Sequence, residues 1–459
     1  MSTAAIHGRA DIEPRAATVL TMLLGAGIVL GLTGAQLRAD TLAAVGGGLA
    51  AAALIVLVTA GWLDGAITIA LAVPLPAIYE TGTLRIAAAA PITAAVLFAW
   101  MLRRGVSDEP FDSGSVPFRG LMTLGAALAV AGVAGTHPVV SARELLNLGL
   151  LVALLLFAAD VFRGRHDAAR TTMRTLVIAA ALCGGLAVLE MVGVLPGRFP
   201  RYDTAFNRAA LGFGQPNGLG LFFALVVPFA VHEWNEATAS WARARAALVI
   251  LLIGAGLLAT FSRGAWLSVL GGTAVLIFTG DARFAVRVLL AAVLAAVVAD
   301  LVTSGALRDT AARTVDDWVI EQRAALVLAG ILMFLARPWL GMGPGGFEQN
   351  LDRYGAQLPQ LWDYLPTPHN AYVQFAAESG VVGLAAFLLL LLVLFRTLAR
   401  RVRQSRDGDP ELRGFRRAVL WSFGVFCCAC MVVWPFAHGT GQAVMLILAA
   451  GLAGDGEGP

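Results

Sequence analysis

The chain reads as a succession of apolar runs separated by short polar breaks, and the runs are too long and too uniformly apolar for the helices of a soluble domain. A bilayer-spanning helix needs about 20 mostly apolar residues. On that measure the pattern predicts about fourteen (12–14) spans, at roughly 17–35, 41–60, 62–79, 86–102, 119–135, 144–161, 173–194, 216–231, 244–260, 264–279, 285–303, 379–398, 416–435 and 440–453. One long connection interrupts the rhythm, over roughly 304–378. Within it, the apolar segment Ala324–Leu335 is too short to span and predicts an amphipathic or re-entrant helix at the membrane interface. A second polar stretch, roughly 195–217, carries Arg198, Arg201 and Arg208 and ends in the turn sequence Gly214-Gln215-Pro216-Asn217-Gly218. The expected fold class is an all-α polytopic membrane protein. Its first part, 1–194, reads as a transmembrane scaffold, and its second, 195–459, as a half that carries both long loops.

Composition excludes a soluble enzyme: 58% of residues are hydrophobic, 14% are charged, and the mean hydropathy is +0.77. The 33 basic residues are all Arg, and their placement sets the orientation. With the N-terminus in the cytoplasm, Arg103, Arg104, Arg163, Arg165, Arg170, Arg174, Arg243, Arg245, Arg283, Arg287 and the cluster from Arg396 to Arg417 lie inside, as the positive-inside rule requires. Both long loops then lie outside, with all five Tyr. A formal net charge of +3 gives no reason to expect a nucleic-acid partner. The first span is expected to act as a signal anchor rather than a cleaved signal. Cys183, Cys427, Cys428 and Cys430 fall within spans and predict neither disulfides nor a metal site, and no cofactor is expected.

Four motifs occur in a fixed order on this topology: Arg208 with Gly214–Gly218; Phe261-Ser262-Arg263-Gly264-Ala265; Arg323 followed by Pro338-Trp339-Leu340-Gly341-Met342-Gly343-Pro344-Gly345-Gly346-Phe347; and His369-Asn370-Ala371-Tyr372 with Glu378-Ser379-Gly380. Together they resemble the O-antigen ligase and O-antigen polymerase superfamily over roughly 200–395. The resemblance implies a GT-C-type helical bundle in the bacterial inner membrane, with a long periplasmic loop. It also implies a metal-independent, inverting glycosyltransferase that takes a glycan from undecaprenyl diphosphate on the periplasmic side. The acceptor would be lipid A-core, or a lipid-linked glycan in a polymerase.

The residues themselves suit that chemistry. A guanidinium binds phosphate oxygens through a planar fork and keeps its charge, so Arg208, Arg263 and Arg323 are candidates to hold a lipid diphosphate. Arg201 could share that work. Arg263, in a very short hairpin, could instead be a snorkelling anchor, and Arg323 could belong to a solvated cluster with Asp316, Asp317 and Glu321. His369 is the candidate general base for an acceptor hydroxyl, with capping of the helix that begins near Asn370 as the structural alternative. His137 and His438 also fall near the outer face, each in a short turn. Gln215, Asn217 and Asn370 are candidate phosphate or sugar contacts. Glu378 could orient Arg323 or His369, or favour a helix N-terminus. Gly341–Gly346 lacks the Lys-Ser/Thr ending of a phosphate-binding loop and reads as a tight turn.

A lipid-linked glycan transporter would share the composition, but internal repeats and charges at mid-membrane on broken helices, which a transporter reading expects, are not evident in the pattern. The orientation gives a direct expectation. Single cysteines introduced at Ser304 and Gln357 should react with a membrane-impermeant maleimide applied from the periplasmic side, and labelling only from the cytoplasm would overturn the assignment of the long loop.

Overall fold

The computed structural model describes residues 78–81, 84–87, 116–197, 207–211, 213, 215–278, 317–355, 368–405, 409–436 and 438–453, with a few isolated positions besides. The spans expected at 17–35 and 41–60, nearly all of 62–79 and 86–102 and most of 285–303 lie outside the described residues, as do Arg198 and Arg201. Apart from one short antiparallel hairpin, β1 (Ile78–Thr81) with β2 (Leu84–Ala87), the described elements are helices. They are α1 (Val116–Ala134), α2 (Pro138–Phe162), α3 (His166–Met191), α4 (Pro216–Glu236), α5 (Ser240–Ala259), α6 (Arg263–Phe278), α7 (Asp317–Ala336), α8 (Gly346–Gly355), α9 (Ala371–Gln404), α10 (Pro410–Ala429) and α11 (His438–Leu452). Six of them, α1 to α5 and α9, are long and apolar enough to cross a membrane. The hairpin is a departure from the all-α expectation and spans the end of one expected apolar run and the start of the next.

Short connections alternate the helix directions, so the chain turns repeatedly at two ends of a bundle. One end gathers the turns at 135–137, 192–197, 207–211, 260–262 and 430–436. At the other, side chains lock the turns electrostatically: Arg170 pairs with Glu411 at 2.9 Å and Asp409 at 3.6 Å, and Arg174 pairs with Glu233 at 2.9 Å. There Arg401 donates to the carbonyls of Gly451 and Ala453, both at 2.7 Å, and closes the C-terminus of α11. Between the ends the helices approach closely through small residues, as where Gly184 of α3 meets Gly256 of α5. α4 is the most enclosed of these six helices, with Phe222, Phe223 and Phe229 almost fully buried.

α9 is not one rod. Gly380 adopts φ 63° and ψ −162°, which breaks the helix into Ala371–Ser379 and a longer membrane portion. The rings of Phe375 and Phe387 show the bend, stacking with centroids 4.1 Å apart where a straight helix would separate their positions by about 18 Å. The amide and carbonyl groups freed by the break are taken up by the strap Pro338–Gly343. Met342 N donates to Ala377 O (2.9 Å), Gly343 N to Glu378 O (2.8 Å), and Val381 N to Pro338 O (2.7 Å). The Gly-rich segment is thus a tight packing turn, with Gly341, Gly343 and Gly345 all at positive φ.

The segment expected to be amphipathic is not. It lies in α7, a helix of 20 residues that buries Ala325, Leu326, Ala329 and Met333 on one side and exposes Leu328, Ile331, Leu332 and Leu335 on the other. An apolar exposed face belongs against lipid, and the polar residues collect in the first turns instead. The span expected at 416–435 also shifts, since α10 starts at Pro410 and ends at Ala429.

The break yields a stability expectation. A Cβ at Gly380 would overlap the Trp339 carbonyl, and the backbone conformation is open only to glycine, so Gly380→Ala should cost at least about 2 kcal/mol. Gly125→Ala, where a Cβ meets nothing within 4 Å, should leave thermal unfolding in detergent unchanged or slightly improved. Equal melting of the two variants would remove the break as a structural constraint.

Candidate functional site

The first part of the site is assembled where the 207–211 segment, the start of α4 and the α5–α6 hairpin meet. Asn217 Oδ1 accepts from Arg208 Nη2 at 3.3 Å and from Ser262 Oγ at 3.0 Å, so one amide oxygen joins all three. Arg208 Nε also donates to Thr260 O at 3.2 Å, and Ala209 N to Ala259 O at 3.0 Å. Ser262 stands just before α6 and accepts from Ala265 N, capping the helix that Arg263 opens. The half-buried Arg208 and Arg263 therefore flank two adjoining helix N-termini, those of α4 and α6, whose amides add positive potential. Two buried residues here, Leu211 (φ 44°) and Phe261 (φ 48°), hold left-handed backbone, which is uncommon outside glycine.

The second part is the turn Pro368-His369-Asn370. Asn370 is the N-cap of α9, its Oδ1 accepting from Val373 N at 3.1 Å. His369, with φ 48°, is thus not the cap. Burial and the Arg323 guanidinium both push its pKa below the usual imidazole value, so the ring is a neutral acceptor over a wider pH range than an exposed His. Arg323 is half-buried near the start of α7; its neighbour Glu321, two residues away, points to another side of that helix.

The turn after α10 ties the two parts together. Cys430 O accepts from Ala371 N at 2.7 Å, two residues from His369, and a Cβ on Gly264 would lie 3.0 Å from Val432 Cγ2. Arg208, Arg263 and His369 hence sit at one end of the bundle, with Arg323 acting on His369 there. Among the described residues no cluster of His, Cys, Asp and Glu is arranged to hold a metal ion.

Residues 246–388, which hold Arg263, Arg323, His369 and Glu378, match the family model Wzy_C, O-antigen ligase. Over this part, about a third of the chain, the sequence is similar to that family. The apolar helices of span length accord with an integral membrane protein. No curated protein matches the chain. Arg208, Gln215 and Asn217 lie before the matched O-antigen ligase segment, yet the fold brings Arg208 and Asn217 onto its hairpin.

The remaining sequence candidates divide. Glu378 Oε1 accepts from Phe347 N at 3.3 Å and Gln374 Nε2 at 3.2 Å, which places the carboxylate at the N-terminus of α8. Gln215 occupies the N-cap position of α4 without a side-chain cap bond. His137 is exposed, with Nδ1 3.0 Å from Thr136 Oγ1, and His438 is the first residue of α11. One residue of the candidate site was not singled out from sequence. Glu190, in the last turn of α3 and 1% exposed, accepts from Ala210 N at 3.0 Å and Leu211 N at 2.9 Å. The available signal was an acidic residue inside an apolar span, which is costly enough to mark a position.

Asn217 can be tested as a junction. Asn217→Ala removes the acceptor of two part-buried donors and should lower stability by about 1–3 kcal/mol, whereas Asn217→Asp keeps the acceptor and should melt close to wild type. An unchanged melting temperature for Asn217→Ala would show that the junction contributes little.

Proposed function

We propose that the chain is an O-antigen ligase of the bacterial inner membrane, transferring a glycan from undecaprenyl diphosphate to a hydroxyl of lipid A-core on the periplasmic face. The observation that carries this reading is the turn at His369: a strained, half-buried imidazole with its proton affinity lowered, under the field of Arg323, at the bundle end that also holds Arg208 and Arg263. The opposite end, rich in Arg170, Arg174, Arg243, Arg245 and the Arg401–Arg417 group, fits the cytoplasmic side.

In this mechanism His369 accepts the proton of the acceptor hydroxyl as its oxygen forms the new bond to the anomeric carbon. The bond from that carbon to the diphosphate oxygen breaks on the opposite face, which inverts the configuration, and undecaprenyl diphosphate leaves with the bonding electrons. Arg208, Arg263 and Arg323 hold its phosphates as charge develops, so the stabilising charge comes from guanidiniums rather than a divalent cation. Arg201, outside the described residues, would add a glycan contact from the same loop. On this reading residues 1–194 would form the scaffold and 195–459 the catalytic half.

Purified protein in lipid nanodiscs, given undecaprenyl-diphosphate glycan and lipid A-core, should attach glycan to the core. Lengthened lipid-linked glycan would indicate a polymerase, and movement across a bilayer without transfer would indicate a transporter. His369→Ala should abolish transfer while donor binding persists. The rate should rise with pH through the lowered pKa of His369, as the neutral imidazole forms, and Arg323→Gln should move that limb to higher pH by restoring proton affinity. Arg263→Lys should lose on the order of a hundredfold, because a point charge replaces a fork. Near-normal transfer by His369→Ala would remove the base from the mechanism.

A further inference from the structure

We propose that Glu190 is the positioning residue for Arg208, and that the carboxylate at the end of α3 sets where this guanidinium meets the donor; the inference rests on the reading that Arg208 binds the diphosphate. A single oxygen, Oε2, receives two consecutive amides, Ala210 N at 3.0 Å and Leu211 N at 2.9 Å. Consecutive amides converge on one acceptor only if the backbone curls around it, and Leu211 does so at φ 44°. A buried Leu in that conformation persists when its surroundings over-determine it, and the carboxylate supplies the needed constraint. Arg208 lies two residues before this curl. Its Nε reaches Thr260 O and its Nη2 reaches Asn217 Oδ1, which holds the side chain against the α5–α6 hairpin and the start of α4.

Other contacts fix only the path of the segment. Asn207 N donates to Met191 O at 2.8 Å, Asn207 Nδ2 to Glu190 O at 3.2 Å, and Ala209 N to Ala259 O at 3.0 Å. All three survive removal of the Glu190 side chain. The segment would stay docked while the curl at 210–211 loosens, so the effect falls on the aim of Arg208 rather than on the fold. A misplacement of about 1 Å in a group that touches the reacting atoms is enough to cost on the order of a hundredfold in rate.

Two measurements on the full chain in nanodiscs test this. The first is amide hydrogen exchange of the peptide covering 207–213 in wild type, Glu190→Ala and Glu190→Gln. Exchange should accelerate about tenfold or more in Glu190→Ala and return near wild type in Glu190→Gln, which keeps an acceptor oxygen. Equal exchange in all three would overturn the positioning role whether or not transfer is observed. The second is a double-mutant cycle on kcat for glycan transfer, normalised to folded protein. Glu190→Ala should lose on the order of tenfold or more with little change in KM for the acceptor, be largely rescued by Glu190→Gln, and add nothing to the loss in Arg208→Ala. Additive losses would overturn action through Arg208. Absence of transfer in wild type would sink the functional reading instead, and leave the exchange measurement to decide the role of Glu190.

Discussion

The break in α9 at Gly380 is the constraint on which the site depends. It ends the membrane portion of the helix early and lets Ala371–Ser379 turn across the bundle end, so that the N-cap at Asn370 brings His369 next to the turn after α10. A broken helix leaves amides and carbonyls unmatched in surroundings that lack water, and these must be paired internally. The Pro338–Gly343 strap pairs them, and in doing so fixes the C-terminal end of α7, the helix whose first turns bear Arg323. The proposed base and one of its neighbouring cations are thereby positioned by a single packing event.

The other two cations depend on a different device. Arg208 and Arg263 come from segments more than fifty positions apart, joined by the amide oxygen of Asn217 and set among helix N-termini. Among the described residues, the left-handed ones outside glycine, Leu211, Phe261 and His369, each fall within three residues of a proposed functional side chain. Strain concentrated at such positions is characteristic of sites whose geometry is fixed before the ligand arrives.

Much of this was legible in the sequence because membrane helices advertise themselves through length and hydropathy. The starts of α4 and α6 fall within a residue of the expected positions, since Pro216 and Ser262-Arg263 are sharp local signals. The break at Gly380 was not legible, since a lone glycine in an apolar helix is common and only the strap reveals its role. The α7 error has a physical origin too: an apolar segment near polar residues invites an amphipathic reading, whereas its polar residues cluster at one end rather than along one side. Glu378 and Asn370 stood out in the sequence as polar residues near His369, and hydrogen bonds to Phe347 N and Val373 N place them at helix ends. Periodicity carries no information about which carboxylate curls a distant loop, so Glu190 required the fold.

The two ends of the bundle are fastened by unlike means. Around the site the fastenings are enclosed dipolar bonds, while the far end relies on partly exposed ion pairs such as Arg174 with Glu233, where Arg174 is 54% exposed. Dissolved ions screen the second kind within about 8–10 Å at physiological strength and scarcely touch the first. Ionic strength therefore acts on this molecule as a one-sided lever: it slackens the helix turns remote from the chemistry while the geometry of the chemistry itself stays taut.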